Sequence, residues 1–109
     1  MISKTLGISG VVKMKVFISF PMNGKSYDEI VAERNSIINV CKQFFSDDTY
    51  YIDTVVKELV EEPLWYLGKS IQAMADADIA VFANGWEDAR GCAIEWECAK
   101  MYNIPVLVL

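Results

Sequence analysis

The chain has 109 residues, of which 53% are hydrophobic, and its 10 basic and 15 acidic side chains give a net charge of −5. This length suits one globular domain and is too short for two. The sequence contains no histidine, which excludes Ser/His and Cys/His nucleophile pairs and histidine-ligated zinc. Carboxyl groups would therefore have to carry any proton chemistry.

Charge and cysteine usage limit the partners and the compartment. The acidic surplus lies after Tyr50, and the sequence has no Lys/Arg cluster that could follow a nucleic-acid backbone, although a small anion could still bind. The cysteines Cys41, Cys92 and Cys98 lack C-x-x-C spacing, which argues against disulfides or a metal knuckle and favours packing. No apolar run is long enough for a bilayer, and nothing resembles a signal peptide. We expect a soluble cytoplasmic protein that binds neither nucleic-acid polymers nor membranes.

The first elements follow a weakly patterned N-terminus. Residues 1–13 are expected to be an extension, either an upstream start or an added segment, disordered or loosely packed before one domain over 14–109. The β-branched and aromatic run 16–20 predicts a buried strand. A capping box at Ser26 then begins a helix, and apolar residues at helical spacing predict that it continues to about Phe45.

The rest of the chain alternates strands and helices. A second strand is predicted over 50–56, although 55–62 could instead begin a short helix. The later predicted elements are an amphipathic helix from Pro63, a strand over 79–83, a helix over 89–102 and a strand over 106–109. This order predicts a three-layer α/β domain, with a flavodoxin-like or Rossmann-like parallel sheet of about four or five strands.

Ligands of such sheets bind at the carboxyl ends of the strands, which selects residues 20–26, Asp53 and its followers, and 84–91. In the first of these segments, a lysine and the amides of a helix start could hold a phosphate or carboxylate. The alternative is an ordinary capped turn. The residues in question are Asn23, Gly24, Lys25 and Ser26.

Glu95 is the acidic residue whose position is hardest to explain by solvation alone. It shares a predicted helix face with Gly91 and Ala99, and small residues on a helix usually pack against a neighbour. A carboxylate on that face is expected to be either paired or functional. Trp86 could line a pocket for a flat base, but aromatic residues more often belong to a core or an interface.

The order of these features resembles a known superfamily. The segments that carry the resemblance are VFISFPMNG at 16–24, ADIAV at 77–81, GWEDARGCAIE at 85–95 and IPV at 104–106. They are similar to the nucleoside 2-deoxyribosyltransferase-like superfamily, and more narrowly to its small bacterial and phage-associated members of uncharacterised function. The likeness covers residues 14–109, and the spacing from Gly91 to Glu95 is its most specific part.

The resemblance implies a glycosyl transfer with retention, on a nucleoside or nucleoside 5′-monophosphate. Glu95 matches the nucleophile, and Asp78 matches an aspartate that positions the substrate and manages the proton. The substrate-binding positions that it implies are Phe17, Ser19, Met22, Asn23, Gly24, Lys25, Ser26, Trp86, Asp88, Ala89 and Gly91. It implies a homo-oligomer, and we expect no metal or other cofactor. The alternatives are a nucleotide-binding sensor without catalysis and a structural oligomerisation module.

Overall fold

Four parallel strands form one sheet in the order β2-β1-β3-β4, which confirms the predicted α/β fold class. The structure, a computed structural model, describes residues 13–57 and 61–109, so almost all of the predicted N-terminal extension lies outside it. The elements are β1 (Lys15–Ser19), α1 (Tyr27–Cys41), β2 (Tyr50–Tyr51), α2 (Pro63–Met74), β3 (Ile79–Phe82), a 3₁₀ turn (Trp86–Asp88), α3 (Arg90–Met101) and β4 (Val106–Val108).

The two faces of the sheet bury separate apolar clusters because successive strand residues point to opposite sides. On one face, α1 covers the alternate residues of β1 and β3. That cluster comprises Val16, Ile18, Phe20, Ile30, Ile37, Cys41, Val81 and Ala83. On the other face, the cluster comprises Phe17, Met74, Ala77, Ala80, Phe82 and Ala99, so α2 and α3 both pack there.

Two predicted elements are shorter in the structure than expected. Helix α1 ends at Cys41 rather than near Phe45, because Gln43 and Phe44 donate to carbonyls three residues back and tighten the chain into turns. Phe45 nevertheless still packs against the core cluster on this face. Strand β2 pairs with β1 only through Tyr50–Tyr51, and residues 52–57 follow without regular structure. The predicted strand over 50–56 is therefore mostly a loop.

The start of α1 is held by the capping box that the sequence predicts. The Ser26 hydroxyl accepts a hydrogen bond from the amide of Glu29 at 3.2 Å. In return, the Glu29 carboxylate accepts from the amide of Ser26 at 2.8 Å. These bonds hold the pKa of Glu29 below its usual value. Both partners satisfy amides that would otherwise lack acceptors at the helix start.

Replacing the cap residue is expected to weaken the fold measurably. Ser26→Ala should lower the free energy of unfolding by about 1 kcal/mol, since the Glu29 amide loses its acceptor. Urea denaturation would measure the change. Ser36→Ala, at an exposed position inside the same helix, is the matched control and should be neutral or slightly stabilising. Equal losses in the two variants would contradict a specific cap.

The strand order also locates the crevice. The chain leaves β1 towards β2 on one side and later returns past β1 to reach β3 on the other. Neighbouring crossovers diverge at such a point, and ligands of open parallel sheets bind there, beyond the carboxyl ends of the strands. The crevice therefore lies where β1 and β3 end, at the paired residues Ser19 and Phe82.

Candidate active site

Glu95 lies at this crevice, on the second turn of α3. Its side chain is buried, with 7% of the residue exposed. The hydroxyl of Ser19, the last residue of β1, donates a 2.6 Å hydrogen bond to Glu95 Oε1. Ser19 and Phe17 occupy the same face of β1, opposite Ile18, which is why the hydroxyl points towards α3. The sequence predicts that Glu95 is either paired or functional, and the structure shows that it is paired with Ser19.

Burial determines the acidity of Glu95. Removal from water raises the pKa of this carboxyl above its ordinary value, while hydrogen bonds from Ser19 and Ser70 act in the opposite direction. The two serines stabilise the ionised form because they donate to it. Glu95 is consequently a carboxyl group with a raised pKa, held by hydroxyls from β1 and α2. Perturbed carboxyl groups of this kind in a cleft are candidates for nucleophilic or acid–base chemistry.

Removing the donor on β1 should shift the titration of Glu95. Ser19→Ala is expected to raise the pKa of Glu95 further, because the ionised carboxylate loses a hydrogen bond inside a desolvated site. A ¹³C NMR titration of the side-chain carboxyl would record the midpoint. Ser46→Ala, which removes a hydroxyl bonded to the exposed Asp48, is the matched control and should leave that midpoint unchanged. An unchanged Glu95 midpoint in Ser19→Ala would contradict the assigned role.

Ser70 was missed by reasoning from the sequence, although a signal for it exists. It lies within the apolar spacing of α2, three residues after Leu67 and four before Met74. A hydroxyl in such a stripe usually has a buried polar partner. Here that partner is Glu95.

Cys92 adjoins the same group but does not contribute a reactive thiolate. The residue is buried, and this burial raises the pKa of its thiol, with a smaller opposing effect from Ser19. A nucleophilic cysteine needs the reverse shift. The interpretation of Cys92 as a packing residue therefore fits its surroundings.

A cavity of about 170 Å³ opens beside Ser70, between α2 and the segment that follows β2. Asp53 and the residues that follow it, one of the three predicted ligand segments, form one wall of this cavity. Side chains of α2 form the other. The lining residues are Asp53, Thr54, Val55, Val56, Tyr66, Lys69, Ser70 and Ala73. The site thus consists of the buried carboxyl group of Glu95 and a small cavity, and Ser70 lies between the two.

The loop after β1 does not present the open anion site that its sequence allows. Lys25 Nζ forms an ion pair with Glu33 and donates to the carbonyl of Pro21 at 2.9 Å. Ser26 is engaged in the capping box, and Glu29 already supplies a negative charge at the helix start. The alternative of an ordinary capped turn describes this loop better than a phosphate site does.

The other residues of that loop have structural roles or face the solvent. Met22 is half-buried and packs against the α1 side of the core. Its carbonyl accepts from the amide of Lys25 at 3.2 Å, closing a turn with Asn23 and Gly24 at its exposed centre. Gly24 has φ +80°, which is the conformation that favours glycine at this position of a turn. Among the described residues, no hydrogen bond or ion pair joins any of the three to Glu95.

Asp78 lies at the wrong end of the sheet to act with Glu95. It immediately precedes β3, and its Oδ2 accepts from the amide of Lys15 at 2.8 Å, at the first residue of β1. Lys15 and Ser19 are four residues apart along the strand, which corresponds to about 13 Å. Asp78 therefore belongs to the amino ends of the strands, a position that does not favour its predicted role as the acid/base or orienting group beside Glu95.

Phe17 and Trp86 are packing residues. Phe17 is fully buried in the core between the sheet and helices α2 and α3, so it cannot contact a ligand. Trp86 stacks on Trp96 with ring centroids 4.3 Å apart, and both rings contact Phe82 edge to face. The alternative of a core or interface aromatic thus describes Trp86 better than substrate binding does, and the burial of Phe17 does not favour the substrate contact that the resemblance implies.

The segment before α3 and its first turn carry the remaining predicted substrate-binding residues. Asp88 is exposed in the 3₁₀ turn, and Ala89 is the N-cap of α3 without a side-chain bond. Gly91 follows in the first helical turn. A Cβ at Gly91 would lie 3.8 Å from Leu67 Cδ1, an ordinary contact, so packing does not require glycine there. Gly91 is the one of these three residues that shares a face of α3 with Glu95, because it lies four residues, or about one helical turn, before it.

Fold and site together define a single-domain parallel α/β protein with a buried glutamate at the crevice of its sheet. No protein-family model matches the chain, and no curated protein matches it. Within residues 13–57 and 61–109, no helix has the length and apolar character needed to cross a membrane. The function must therefore be argued from the site itself.

Proposed function

We propose that the protein cleaves N-glycosidic bonds, as a hydrolase or a transferase acting on a nucleoside or nucleoside 5′-monophosphate, through a covalent glycosyl ester on Glu95. The observation that carries this proposal is the buried carboxyl group of Glu95 at the carboxyl ends of β1 and β3. Among the described residues, it is the one acidic side chain that is buried. The resemblance to nucleoside 2-deoxyribosyltransferase-like proteins points to the same residue.

Cleavage of the glycosidic bond mainly requires a carboxylate next to C1′ of the sugar. A Glu95 carboxylate oxygen forms a bond to C1′ while the bond from C1′ to the base breaks, and the electron pair leaves with the base nitrogen, which takes a proton from water. Water or a second base then forms the new bond to C1′ and releases the carboxylate. An oxocarbenium-like transition state is stabilised by the nearby negative charge.

Ser19 and Ser70 are positioning residues in this proposal. Their hydroxyls donate to Glu95 and oppose the rise in its pKa that burial causes. They therefore favour the ionised form, which is the nucleophile, and fix its direction. The hydroxyl that supports Glu95 belongs to Ser19, which follows Phe17 by two residues and lies on the same face of β1.

The structure favours part of the proposed substrate range. Lys25 is paired with Glu33, and the N-terminus of α1 is capped, so the loop after β1 offers little to a 5′-phosphate. A nucleoside without a phosphate therefore suits the site better than a 5′-monophosphate. Asp78 has no part in the proposal because of its position.

The test is a chromatographic screen for free base, run with purified protein on ribonucleosides, 2′-deoxynucleosides and their 5′-monophosphates. Release by the wild type and loss in Glu95→Gln are the expected results. Mass spectrometry of the quenched reaction should show a pentosyl adduct on the peptide that contains Glu95. Base release that persists in Glu95→Gln would overturn the mechanism. Nucleoside binding by the wild type without release of the base would instead support the alternative of a non-catalytic nucleotide-binding sensor.

Homo-oligomerisation, which the resemblance also implies, stays a prediction.

A further inference from the structure

The cavity beside Ser70 has the size of a single ring. We infer that it binds a pyrimidine base, in preference to a purine, and this inference rests on the nucleoside chemistry proposed above. The cavity volume is about 170 Å³. An engineered apolar cavity of about 150 Å³ holds one benzene ring. A six-membered base therefore matches this volume, and the fused second ring of a purine would extend beyond it.

The lining of the cavity offers apolar surface for the faces of a pyrimidine ring and polar groups for its edges. Val55, Val56 and Ala73 supply apolar surface, and the ring of Tyr66 adds an aromatic wall. Pyrimidine bases carry carbonyl acceptors on their edges, together with a ring N–H or an amino group. Thr54 and Lys69 both line the cavity and carry donors for the carbonyls. The Lys69 ammonium lies 5.3 Å from the centre of the neighbouring Trp65 ring, so it would turn from that ring to reach a bound base.

Asp53 adds an acceptor at the same cavity. One of its carboxylate oxygens, Oδ1, accepts from the amide of Val55 at 3.0 Å, which closes a local turn. The carboxylate can accept further hydrogen bonds, such as those from the N3–H of uracil or the amino group of cytosine. The lining of the cavity thus includes a lysine and an aspartate besides its apolar side chains.

The position of the cavity relative to Glu95 makes this a base subsite. Ser70 lines the cavity. It lies one turn after Leu67 on α2, and Glu95 lies one turn after Gly91 on α3, where a Cβ would be 3.8 Å from Leu67. Ser70 also lowers the pKa of Glu95, so one side chain separates the proposed nucleophile from the proposed base. A nucleoside whose base occupies the cavity has its C1′ at the rim on the Ser70 side. The sugar then lies over Glu95, at the carboxyl ends of β1 and β3.

Calorimetric binding of uridine, cytidine, adenosine and guanosine, with their 2′-deoxy forms, tests the inference. Pyrimidine nucleosides should bind at least about tenfold more tightly than purine nucleosides. Ala73→Leu should remove this binding by filling the cavity, whereas Ala75→Leu, at the exposed end of the same helix, should not. Equal affinity for purines, or no nucleoside binding at all, would overturn the inference.

A second variant covers the case in which Ala73→Leu does not fold. Lys69→Met keeps most of the side-chain length on the surface of α2 but removes the ammonium, and it should weaken uridine binding about tenfold. Unchanged uridine affinity in Lys69→Met would contradict the assigned donor and overturn the inference.

Base release measured on the same wild-type samples separates the proposed base subsite from the proposed cleavage of the glycosidic bond. Equal release from purine and pyrimidine nucleosides would overturn the base assignment alone, and selective pyrimidine binding without release would overturn the chemistry alone.

Discussion

Glu95→Gln is expected to reduce base release by roughly 10³-fold or more, the scale of losing a covalent nucleophile. Glutamine preserves the shape of the side chain, and its carbonyl oxygen can still accept the hydrogen bond that Ser19 donates to Oε1. The neutral amide oxygen, however, cannot form the glycosyl ester. Nucleoside binding should persist, because the cavity beside Ser70 is not altered by the change.

The same substitution is expected to stabilise the protein at neutral pH. Burial raises the pKa of Glu95 above its ordinary value of 4.5. As the pH rises past 4.5, the unfolded chain loses this proton first, so ionisation favours unfolding until the pH exceeds the folded-state pKa. Glutamine does not ionise and avoids this loss. Glu95→Gln should therefore gain about 0.5–2 kcal/mol at neutral pH, within the range of single stabilising substitutions.

Measurements at two pH values separate this effect from a general change in packing. Urea denaturation at pH 7 should show the gain, and at a pH below 4.5 the gain should vanish, since Glu95 is then protonated in both states. Glu97→Gln, at an exposed position on the same helix, is the matched control and should change neither base release nor stability. If Glu95→Gln were less stable than the wild type at pH 7, the unfavourable burial of the ionised carboxylate would be refuted.

Local patterns in the sequence predict most of the fold. The capping box at Ser26 and the proline at Pro63 mark helix starts that the structure confirms. The apolar run 79–83 predicts β3 within one residue. The length of β2 could not be predicted in this way, because Tyr50–Tyr51 pair with β1 and Ile52 still donates to Val16, while the similar residues after Ile52 leave the sheet. Strand ends depend on which neighbour offers hydrogen bonds, and a single sequence does not contain that information.

The candidate site could be predicted only in part, for a geometric reason. Glu95 was found because a carboxylate on a face of small residues needs a partner. The identity of that partner, Ser19 from β1 and Ser70 from α2, depends on the register of three elements, which no local pattern specifies. Asp78 shows the opposite situation. Its place in a motif suggested chemistry, but it precedes β3 and so lies at the far end of the strands.

Phe17→Ala is expected to cost about 3–5 kcal/mol of unfolding free energy, the largest loss of stability predicted for this chain. Phe17 is fully buried and packs with Met74, Phe82 and Ala99 between the sheet and two helices. Removal of its ring leaves a cavity that these neighbours cannot all fill. A loss of this size is a large share of the 5–15 kcal/mol typical of a small domain.

The matched control for this substitution is Phe44→Ala, because Phe44 follows α1 with 61% of its surface exposed and should change stability by no more than about 0.5 kcal/mol. Urea denaturation of both variants gives the comparison, and Phe17→Leu should fall between them since it retains most of the apolar volume. Equal stability of Phe17→Ala and Phe44→Ala would contradict the core position of Phe17. It would also restore the sequence-based interpretation of Phe17 as a substrate contact, since a residue at a ligand surface can lose its ring without opening a cavity.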